Sequence, residues 1–296
     1  MAVERRRRSV NRPAVRSTGT GRDRRSLCSN VEPMHDRAHF LERAERLADR
    51  VGVLSVFPGA CEALPSLWEA VTGSREVTVF TVDDRGRRVL TAELSHVWWL
   101  KNQLAEQRRA CVGKHVRGRL VVLSPKAVPL MYARTGRSGR VDDFDEPEHM
   151  PGLELELARA LLEAGPATGP ELRRLVGSRS APITKRALAS LQGRFIITQV
   201  GEAGQPAGWA AAVFDLVARR FGRWLRHLSD PDSALALLAE MLLWGVGELS
   251  AGEVAWALGA GRAESMAALD RLVEEGSAQR RLEGRTLVYR ATSGQP

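Results

Sequence analysis

The sequence has few of the features that mark secreted or membrane-embedded proteins. Its three cysteines, in a chain of 296 residues, are too few and too scattered for a disulfide framework, which fits a reducing cytoplasm. No run of about 18 apolar residues occurs, which argues against a membrane span. The N-terminus is rich in arginine but has no apolar central region, so it does not resemble a secretory signal. We therefore expect a cytoplasmic protein that spans no membrane.

Patterns typical of metal, nucleotide or cofactor sites are also missing. Cys111 and His115 are four residues apart and would share a helix face, but no second pair of ligands lies nearby, so we expect a core cysteine. The segments GSREVT and TGRSGR lack the spacing and the strand-to-helix context of a phosphate-binding loop. The acidic residues between positions 142 and 148 fit a solvated linker better than a cation site. We expect neither a metal nor a cofactor.

Acidic residues are scarce where the arginines are densest. The formal net charge is +9, and residues 1–33 hold nine arginines against three acidic residues, which leaves only +3 for the other 263 residues. This segment is polar and poor in apolar residues, so we expect a disordered Arg-rich tail. It is either a nucleic-acid-binding arm or an upstream extension of a protein that starts at Met34. The high net charge is therefore weak support for DNA binding by the rest of the chain.

Two segments of the C-terminal half share one order of predicted elements. In each, an apolar helix stops at a glycine, Gly165 in the first copy and Gly247 in the second, 82 residues later. A Ser/Thr-x-x-Glu capping box then begins a second helix, at Thr168 and at Ser250. A third helix and a strand or hairpin follow, with a turn predicted at Glu283–Gly284 in the second copy. Helix, capped helix, helix and hairpin is the order of a winged helix-turn-helix.

This arrangement binds duplex DNA for a geometric reason. The second helix supports the third, which can enter a major groove, while the hairpin contacts the flanking backbone. The third helix is basic in the first copy, whereas in the second copy it also carries acidic residues and the hairpin is basic. We therefore expect the first helix and the second hairpin to contact DNA, although such modules also serve as protein–protein or dimer modules. The expected contacts are Arg179, Lys185, Arg186, Arg194, Arg280, Arg281 and Arg285.

The rest of the chain is less regular. Residues 208–229 carry apolar residues along one stripe and arginines elsewhere, which predicts a long amphipathic connecting helix whose arginines are solvated. Residues 34–140 read as alternating helices and short strands, which could form a third, more irregular winged-helix-like unit. An acidic linker over residues 141–152 follows that unit.

The segment HVWWLKNQL, residues 96–104, raises a question about its adjacent tryptophans. On a helix with about 100° per residue, Trp98 and Trp99 fall on opposite flanks of the inward stripe. That stripe consists of Val97, Leu100, Leu104 and Cys111. Base stacking would require both tryptophans in one basic groove, so we expect them instead to dock the N-terminal unit against the tandem winged helices. The basic residues of this region are further candidate DNA contacts: Lys101, Arg108, Arg109 and Lys114.

Four segments resemble the winged-helix DNA glycosylase superfamily, and more narrowly its branch of glycosylase-related proteins of unassigned activity. The segments are LPSLWEAVTG, HVWWLKNQL, CVGKHVRGRLVVLSPKAVPLMYA and ALASLQGRFIITQ. The resemblance covers about residues 45–225 and rests on the order of these segments. It implies tandem winged helices arranged around a DNA duplex.

The resemblance also identifies where catalysis would occur. In the active glycosylases, a Gln-x-Gln or Gln-x-Asp pair follows the first domain and positions a water at the damaged nucleoside. The corresponding place here is GVLSVFP, where Leu54, Ser55 and Val56 can neither orient water nor stabilise the developing positive charge. The resemblance therefore implies DNA binding without this catalytic pair.

Together, these patterns predict a helix-rich α+β protein of tandem winged helix-turn-helix domains that recognises or handles damaged or structured duplex DNA. One alternative is an active DNA glycosylase that uses other residues, such as Asp36 or Glu62. Another is a winged-helix transcriptional regulator with an effector pocket in its first half. The predicted segments are the tail (1–33), the N-terminal unit (34–140), the acidic linker (141–152), a winged helix (153–207), a connecting helix (208–229) and a C-terminal winged helix (230–292). The oligomeric state is left open.

Overall fold

The structure is a computed structural model, and it describes residues 35–59, 61–144, 150–204 and 210–292. The predicted Arg-rich tail and residues 145–149 of the predicted acidic linker lie outside the described residues. The elements of the N-terminal half are α1 (His35–Val51), β1 (Val53–Ser55), α2 (Leu67–Thr72), β2 (Phe80–Val82), β3 (Arg88–Leu90), α3 (Ala92–Glu106), β4 (Cys111–Val116), β5 (Arg119–Leu123) and α4 (Ala127–Ala133).

The C-terminal half contains the two copies of the repeat. The first copy consists of α5 (Gly152–Ala164), β6 (Ala167–Thr168), α6 (Gly169–Leu175), α7 (Ala181–Gly193), β7 (Ile197–Ala203) and β8 (Ala211–Leu216). The second consists of α9 (Pro231–Val246), β9 (Glu248–Ser250), α10 (Ala251–Leu258), α11 (Arg262–Glu274), β10 (Ala278–Glu283) and β11 (Thr286–Ala291). Between them lie α8 (Val217–Phe221) and a 3-10 helix (Gly222–Trp224). The protein is thus a helix-rich mixed α/β structure with antiparallel sheets.

Both predicted capping boxes are confirmed. In the first copy, the N–H of Glu171 donates to Thr168 Oγ1 at 3.4 Å, and the N–H of Thr168 donates to Glu171 Oε2 at 2.8 Å. In the second copy, Ser250 and Glu253 make the same reciprocal pair at 3.3 and 2.7 Å. Each box satisfies two backbone N–H groups at the start of a helix, which fixes where α6 and α10 begin.

The strands form three sheets. The largest has the order β1-β5-β4-β7-β8-β6, so it joins strands of the N-terminal half to the hairpin of the first copy. The pairing between β4 and β7 is antiparallel and places Val112 opposite Gln199. The hairpin of the second copy forms a separate sheet of order β10-β11-β9, and β2 and β3 form a hairpin of their own. The first copy is therefore joined to the N-terminal half through a sheet.

Two hydrophobic cores lie beneath these sheets. The smaller core belongs to the first copy, and the larger contains buried residues of both the N-terminal half and the second copy. Helices α1 and α9 pack closely at Gly245, since a Cβ at this position would lie only 2.6 Å from Val51 Cα. The segments predicted as separate units at 34–140 and 230–292 thus share one core. No helix among the described residues is long and apolar enough to cross a membrane.

The predicted connecting helix over residues 208–229 is wrong. In its place, β8 pairs with β7 over its whole length, with Leu216 opposite Ile197, and only the short helix α8 and the 3-10 helix follow. The hairpin of the first copy therefore extends beyond the predicted boundary at residue 207. The helical period of the apolar residues was outweighed by pairing with β7, because cross-strand packing and burial override weak local preferences.

Two smaller predictions also differ from the structure. Helix α3 ends at Glu106, so Cys111 lies on strand β4 and not on the helix that carries the tryptophans. In the second hairpin, Glu283 is opposite Thr286, which places the turn at Gly284–Arg285, one residue later than predicted. In both cases strand pairing sets the boundary, because Cys111 begins β4 and Glu283 pairs with Thr286.

Candidate nucleic-acid interface

A groove of about 550 Å³ lies in the first copy between α7, the start of α6 and the β7–β8 hairpin. Three cationic side chains line it: Lys114 from β4, Arg173 from α6 and Lys185 from α7. The other lining residues are apolar, hydroxyl or amide residues, among them Gln192 and Gln199, and none of the described ones is acidic. Clustered cations without a carboxylate attract anions such as phosphate groups.

Helix α7 presents basic residues to solvent because its other face is buried. Ser180 caps the helix, since its Oγ accepts the N–H of Ile183 at 3.4 Å. The buried face consists of Thr184, Leu188 and Leu191, as the sequence predicts. Lys185 and Arg186 are exposed, and Arg179 is exposed just before the cap. Three of the predicted contacts therefore lie near the N-terminal end of one helix.

The predicted contact Lys114 reaches this groove from the N-terminal half. Its backbone N–H donates to Gln192 Oε1 at 3.0 Å, and Gln192 Nε2–H donates to the carbonyl of Leu188 at 3.0 Å. These bonds hold β4 against α7, so that Lys114 lines the same groove as Lys185. Sequence reasoning missed Arg173, whose only signal was a basic last turn in α6.

A buried polar network supports this contact between β4 and α7. His115 Nδ1–H donates to the carbonyl of Gln192 at 2.9 Å, and Cys111 Sγ lies 3.4 Å from His115 Nε2 and 3.3 Å from Thr198 Oγ1. Burial lowers the pKa of His115 to about 4 and raises the pKa of Cys111 to about 12. Both groups are therefore neutral near pH 7. Cys111 is fully buried in the larger core, which confirms it as a core residue. A Cβ at Gly113 would lie 2.5 Å from His115 Nε2, so the ring requires this glycine.

Lys101 does not belong to an exposed interface, contrary to the prediction. It is only 2% exposed, and its Nζ lies 3.3 Å from Gln199 Oε1, 3.5 Å from Glu202 Oε1 and 4.5 Å from the centre of the Trp98 ring. Burial lowers the pKa of Lys101, while the Glu202 carboxylate opposes this shift. A buried ammonium group requires a partner, and Lys101 of α3 finds its partners, Gln199 and Glu202, on β7. The residue therefore holds α3 against β7.

The remaining candidates of the N-terminal half and α7 are scattered. Arg109 NH1 lies 2.6 Å from Glu45 Oε2 on α1, so it is paired within the protein. Arg108 is exposed beyond the end of α3 and has a positive φ of 57°. Arg194 follows α7, and its Nε lies 3.3 Å from Glu154 Oε2. None of these three lines the groove.

The predicted contacts on the second hairpin are largely neutralised. Arg280 NH1 lies 2.9 Å from Asp270 Oδ1, and Arg281 NH2 lies 2.8 Å from Glu248 Oε2. Arg285 is exposed at the turn. An arginine already paired with a carboxylate contributes less to phosphate binding, because the pair must separate or the carboxylate repels the phosphate. None of these three arginines lines the groove of the first copy.

Many other arginines bind the carbonyl ends of helices. Arg219 donates to the carbonyls of Leu161 and Leu162 at 2.8 and 3.2 Å, at the end of α5. Arg220 donates to those of Ala105 and Glu106 at 2.7 and 2.8 Å, at the end of α3. The others are Arg117, Arg119 and Arg134 at the end of α10, and Arg137 beyond the end of α7. Cations stabilise the negative end of a helix dipole, so much of the positive charge is used within the fold.

The two tryptophans of α3 are half-buried and separate, as their flanking positions predict. Trp98 makes an edge-to-face contact with Phe57, with ring centres 6.0 Å apart. Trp99 contacts His96 at 5.8 Å, and the Arg37 guanidinium lies 5.2 Å from its ring centre. Both pack against the larger core. These ring and cation contacts all lie within the N-terminal half and fasten its elements together. They are not the predicted docking contacts between this half and the two copies of the repeat.

The segment that the resemblance assigns to the glycosylase catalytic pair is inside the protein. Leu54 and Val56 are fully buried, and Ser55, 4% exposed, donates from its Oγ to the carbonyl of Pro65 at 3.4 Å. Glu62 is exposed at the surface. The side chain of Asp36, the other alternative, lies outside the described residues.

Comparison with solved structures relates this fold to DNA glycosylases. The DNA glycosylase AlkZ from Streptomyces sahachiroi has a similar fold, with a TM-score of 0.51 and 15% sequence identity, over 86% of this chain and 68% of that chain. The DIP2311 protein from Corynebacterium diphtheriae also matches at 15% identity, over 68% of this chain and 39% of that one, with a TM-score of 0.21. Among curated proteins, none matches this chain.

Comparison of the sequence with models of protein families identifies the family of this chain. The model of the family described as AlkZ related matches residues 38–250, which is most of the chain. The protein therefore belongs to the AlkZ-related family, and the predicted relationship to DNA glycosylase-related proteins is confirmed. The match includes the N-terminal half, the whole first copy and the beginning of the second copy.

Proposed function

We propose that the protein binds duplex DNA through the first copy and acts in the recognition or handling of damaged or structured DNA. Both copies then function as winged helix-turn-helix modules, and α7 is the helix that approaches the duplex. The observation that carries the proposal is the groove in which Lys114, Arg173 and Lys185 converge without an acidic neighbour in its described lining. Membership in the AlkZ-related family supports a role connected with DNA repair.

The chemistry of the groove suits a DNA backbone. Phosphate oxygens accept hydrogen bonds from ammonium and guanidinium groups, and these contacts position a protein on the duplex. The exposed residues Arg179 and Arg186 extend the cationic surface along α7. The side-chain amide of Gln199, which also lines the groove, can donate or accept a hydrogen bond.

Base excision is not part of the proposal. Removal of a base requires a polar group that orients water at the anomeric carbon and stabilises positive charge. The segment Leu54–Val56, to which the resemblance assigns the pair of the active glycosylases, is buried and offers only the hydroxyl of Ser55, which donates to the carbonyl of Pro65. We therefore expect binding of DNA without release of an alkylated base.

Binding to matched intact, nicked, abasic and alkylated duplexes tests the proposal. Fluorescence anisotropy at several salt concentrations should show an affinity whose logarithm falls linearly with the logarithm of salt concentration, because bound cations release counterions. A fragment that begins at Met34 should retain this binding with reduced affinity.

The absence of any binding by that fragment at low salt would contradict the proposal. Base release above background in a single-turnover assay would contradict the expected lack of excision and favour a glycosylase.

A further inference from the structure

Strand β10 forms an edge of the small sheet in the second copy. The strand order is β10-β11-β9, so within the described chain β10 is bonded on one side only. Residues 279–283 of this strand are all exposed, and only Ala278 is buried. An exposed edge strand presents backbone N–H and C=O groups that a further strand can bind.

An apolar patch lies beside this edge. Leu282 and Leu287 are opposite each other in the hairpin and are 69% and 39% exposed, and Met266 on α11 is 44% exposed. The Asp270–Arg280 pair, at 2.9 Å, aligns α11 with the hairpin, and β10 runs back along the helix from its C-terminal end. Met266 is four residues, about 6 Å along the helix, before Asp270, and Leu282 is two residues, about 6.8 Å, beyond Arg280. The three apolar side chains therefore lie on one side of the second copy.

The charges of β10 fit a second copy of the same strand. In a two-fold symmetric antiparallel pair, opposite residues point to the same face, so the pairing is centred on a residue. If Leu282 is opposite Leu282 of the second molecule, each Arg281 is opposite Glu283 of the other protomer. Centred on Arg280 or Arg281, two arginines are opposite each other, and centred on Glu283, two glutamates are. Opposite charges across strands stabilise a pair and like charges destabilise it.

We propose that the protein forms a symmetric homodimer through antiparallel pairing of β10 with β10 of a second molecule, centred on Leu282. The pairing uses free backbone groups of residues 281–283 of both edges, buries the two Leu282 side chains against each other and forms two Arg281–Glu283 pairs. One pair of short strands covers less than the roughly 1,200–2,000 Å² of a standard interface, so the dimer is weak and depends on concentration. This interface goes beyond the DNA binding proposed above and uses none of the residues that line the groove.

Sedimentation equilibrium of the full chain, without DNA, tests the dimer. Wild type should show a monomer–dimer equilibrium that shifts toward the dimer as the concentration rises to about 200 µM, which lies between micromolar and millimolar dissociation constants. The variants Glu283→Arg and Arg281→Glu should each lose the dimer, because each places like charges opposite one another. An equimolar mixture of these two variants should recover it, since every arginine then faces a glutamate. The double variant Arg281→Glu/Glu283→Arg should dimerise for the same reason.

The control is Arg262→Glu, which changes the charge of an exposed residue at the start of α11 without touching the edge. It should dimerise like wild type, and thermal unfolding should show that all variants are folded. Wild type that remains a monomer at every concentration overturns the proposal. Dimerisation of Glu283→Arg at wild-type strength, or a mixture that fails to recover the dimer, overturns it as well. Because no DNA is present, these results do not bear on the DNA-binding proposal.

Discussion

The two copies of the repeat have the same local plan and different surfaces. Their third helices, α7 and α11, are both 13 residues long and begin after a cap at Ser180 and Gly261. Aligned from these caps, the exposed pair Lys185 and Arg186 of α7 corresponds to the exposed pair Met266 and Ala267 of α11. The same positions are cationic in one copy and apolar in the other. A shared order of elements therefore does not imply a shared binding partner.

The copies also differ in how they are attached to the rest of the protein. The first keeps its own core and is joined to the N-terminal half through the β4–β7 pairing and the bond from His115 to Gln192. The second contributes its helices to the larger core, with α9 in close contact with α1 at Gly245. A copy with its own core can expose its third helix to a ligand, whereas the second copy also supports the N-terminal half.

The largest expected effect is the loss of DNA affinity when the cations of α7 are reversed. We expect Lys185→Glu/Arg186→Glu to weaken binding by about 100-fold or more, because two phosphate contacts are replaced by repulsion. The matched control is Met266→Glu/Ala267→Glu at the equivalent positions of α11, which should change affinity by less than about threefold if α11 does not contact DNA. Anisotropy on one duplex at fixed salt measures both. Equal losses in the two variants would remove the functional distinction between the copies.

The attachment of the first copy should be sensitive to acid. Burial lowers the pKa of His115 from 6.5 to about 4, so between these pH values the unfolded chain binds a proton that the folded chain does not. The free energy of unfolding should therefore fall as pH decreases from 6.5 to 4, by about 3 kcal/mol from this residue. Urea unfolding across this pH range should show that the free energy of unfolding falls more steeply with decreasing pH in wild type than in His115→Gln. Identical pH profiles would mean that His115 is protonated in the fold or titrates normally.

The attachment of the second copy should depend on Gly245. Replacement by valine puts atoms against Val51 Cα, 2.6 Å from the Cβ position, and we expect a loss of about 1–3 kcal/mol in the free energy of unfolding. In the first copy the equivalent position is Glu163, which is exposed on α5. Glu163→Val should change stability by less than about 0.5 kcal/mol. Chemical denaturation measures the free energy of unfolding of both variants. An unchanged value for Gly245→Val would show that α1 and α9 can separate without a loss of stability.

The smallest effect is expected on the second hairpin. Arg280→Ala/Arg281→Ala removes two arginines that are paired with Asp270 and Glu248, and we expect DNA affinity to change by less than about threefold. Anisotropy at low salt, where phosphate contacts are strongest, gives the most demanding measurement. A loss comparable to that of the α7 variant would restore this hairpin as a DNA contact.

The sequence alone determined the features that depend on neighbouring residues. The capping boxes at Thr168 and Ser250, the buried stripe of α7 and the flanking positions of Trp98 and Trp99 were all predicted. Each depends on residues within one or two helical turns, so a helical period and a cap are sufficient to find it. The order of elements in the two copies follows from the same local signals.

The tertiary structure decided what each charged or apolar residue contacts. Lys101 was predicted as a DNA contact and is buried beside Glu202, and Arg219 of the predicted connecting helix instead binds the end of α5. Arg173, which the sequence did not single out, lies in the same groove as Lys185. These outcomes depend on residues distant in sequence, because a cation is stabilised equally well by a phosphate, a carboxylate or the carbonyl end of a helix. Only the packing of the strands and helices selects among those partners.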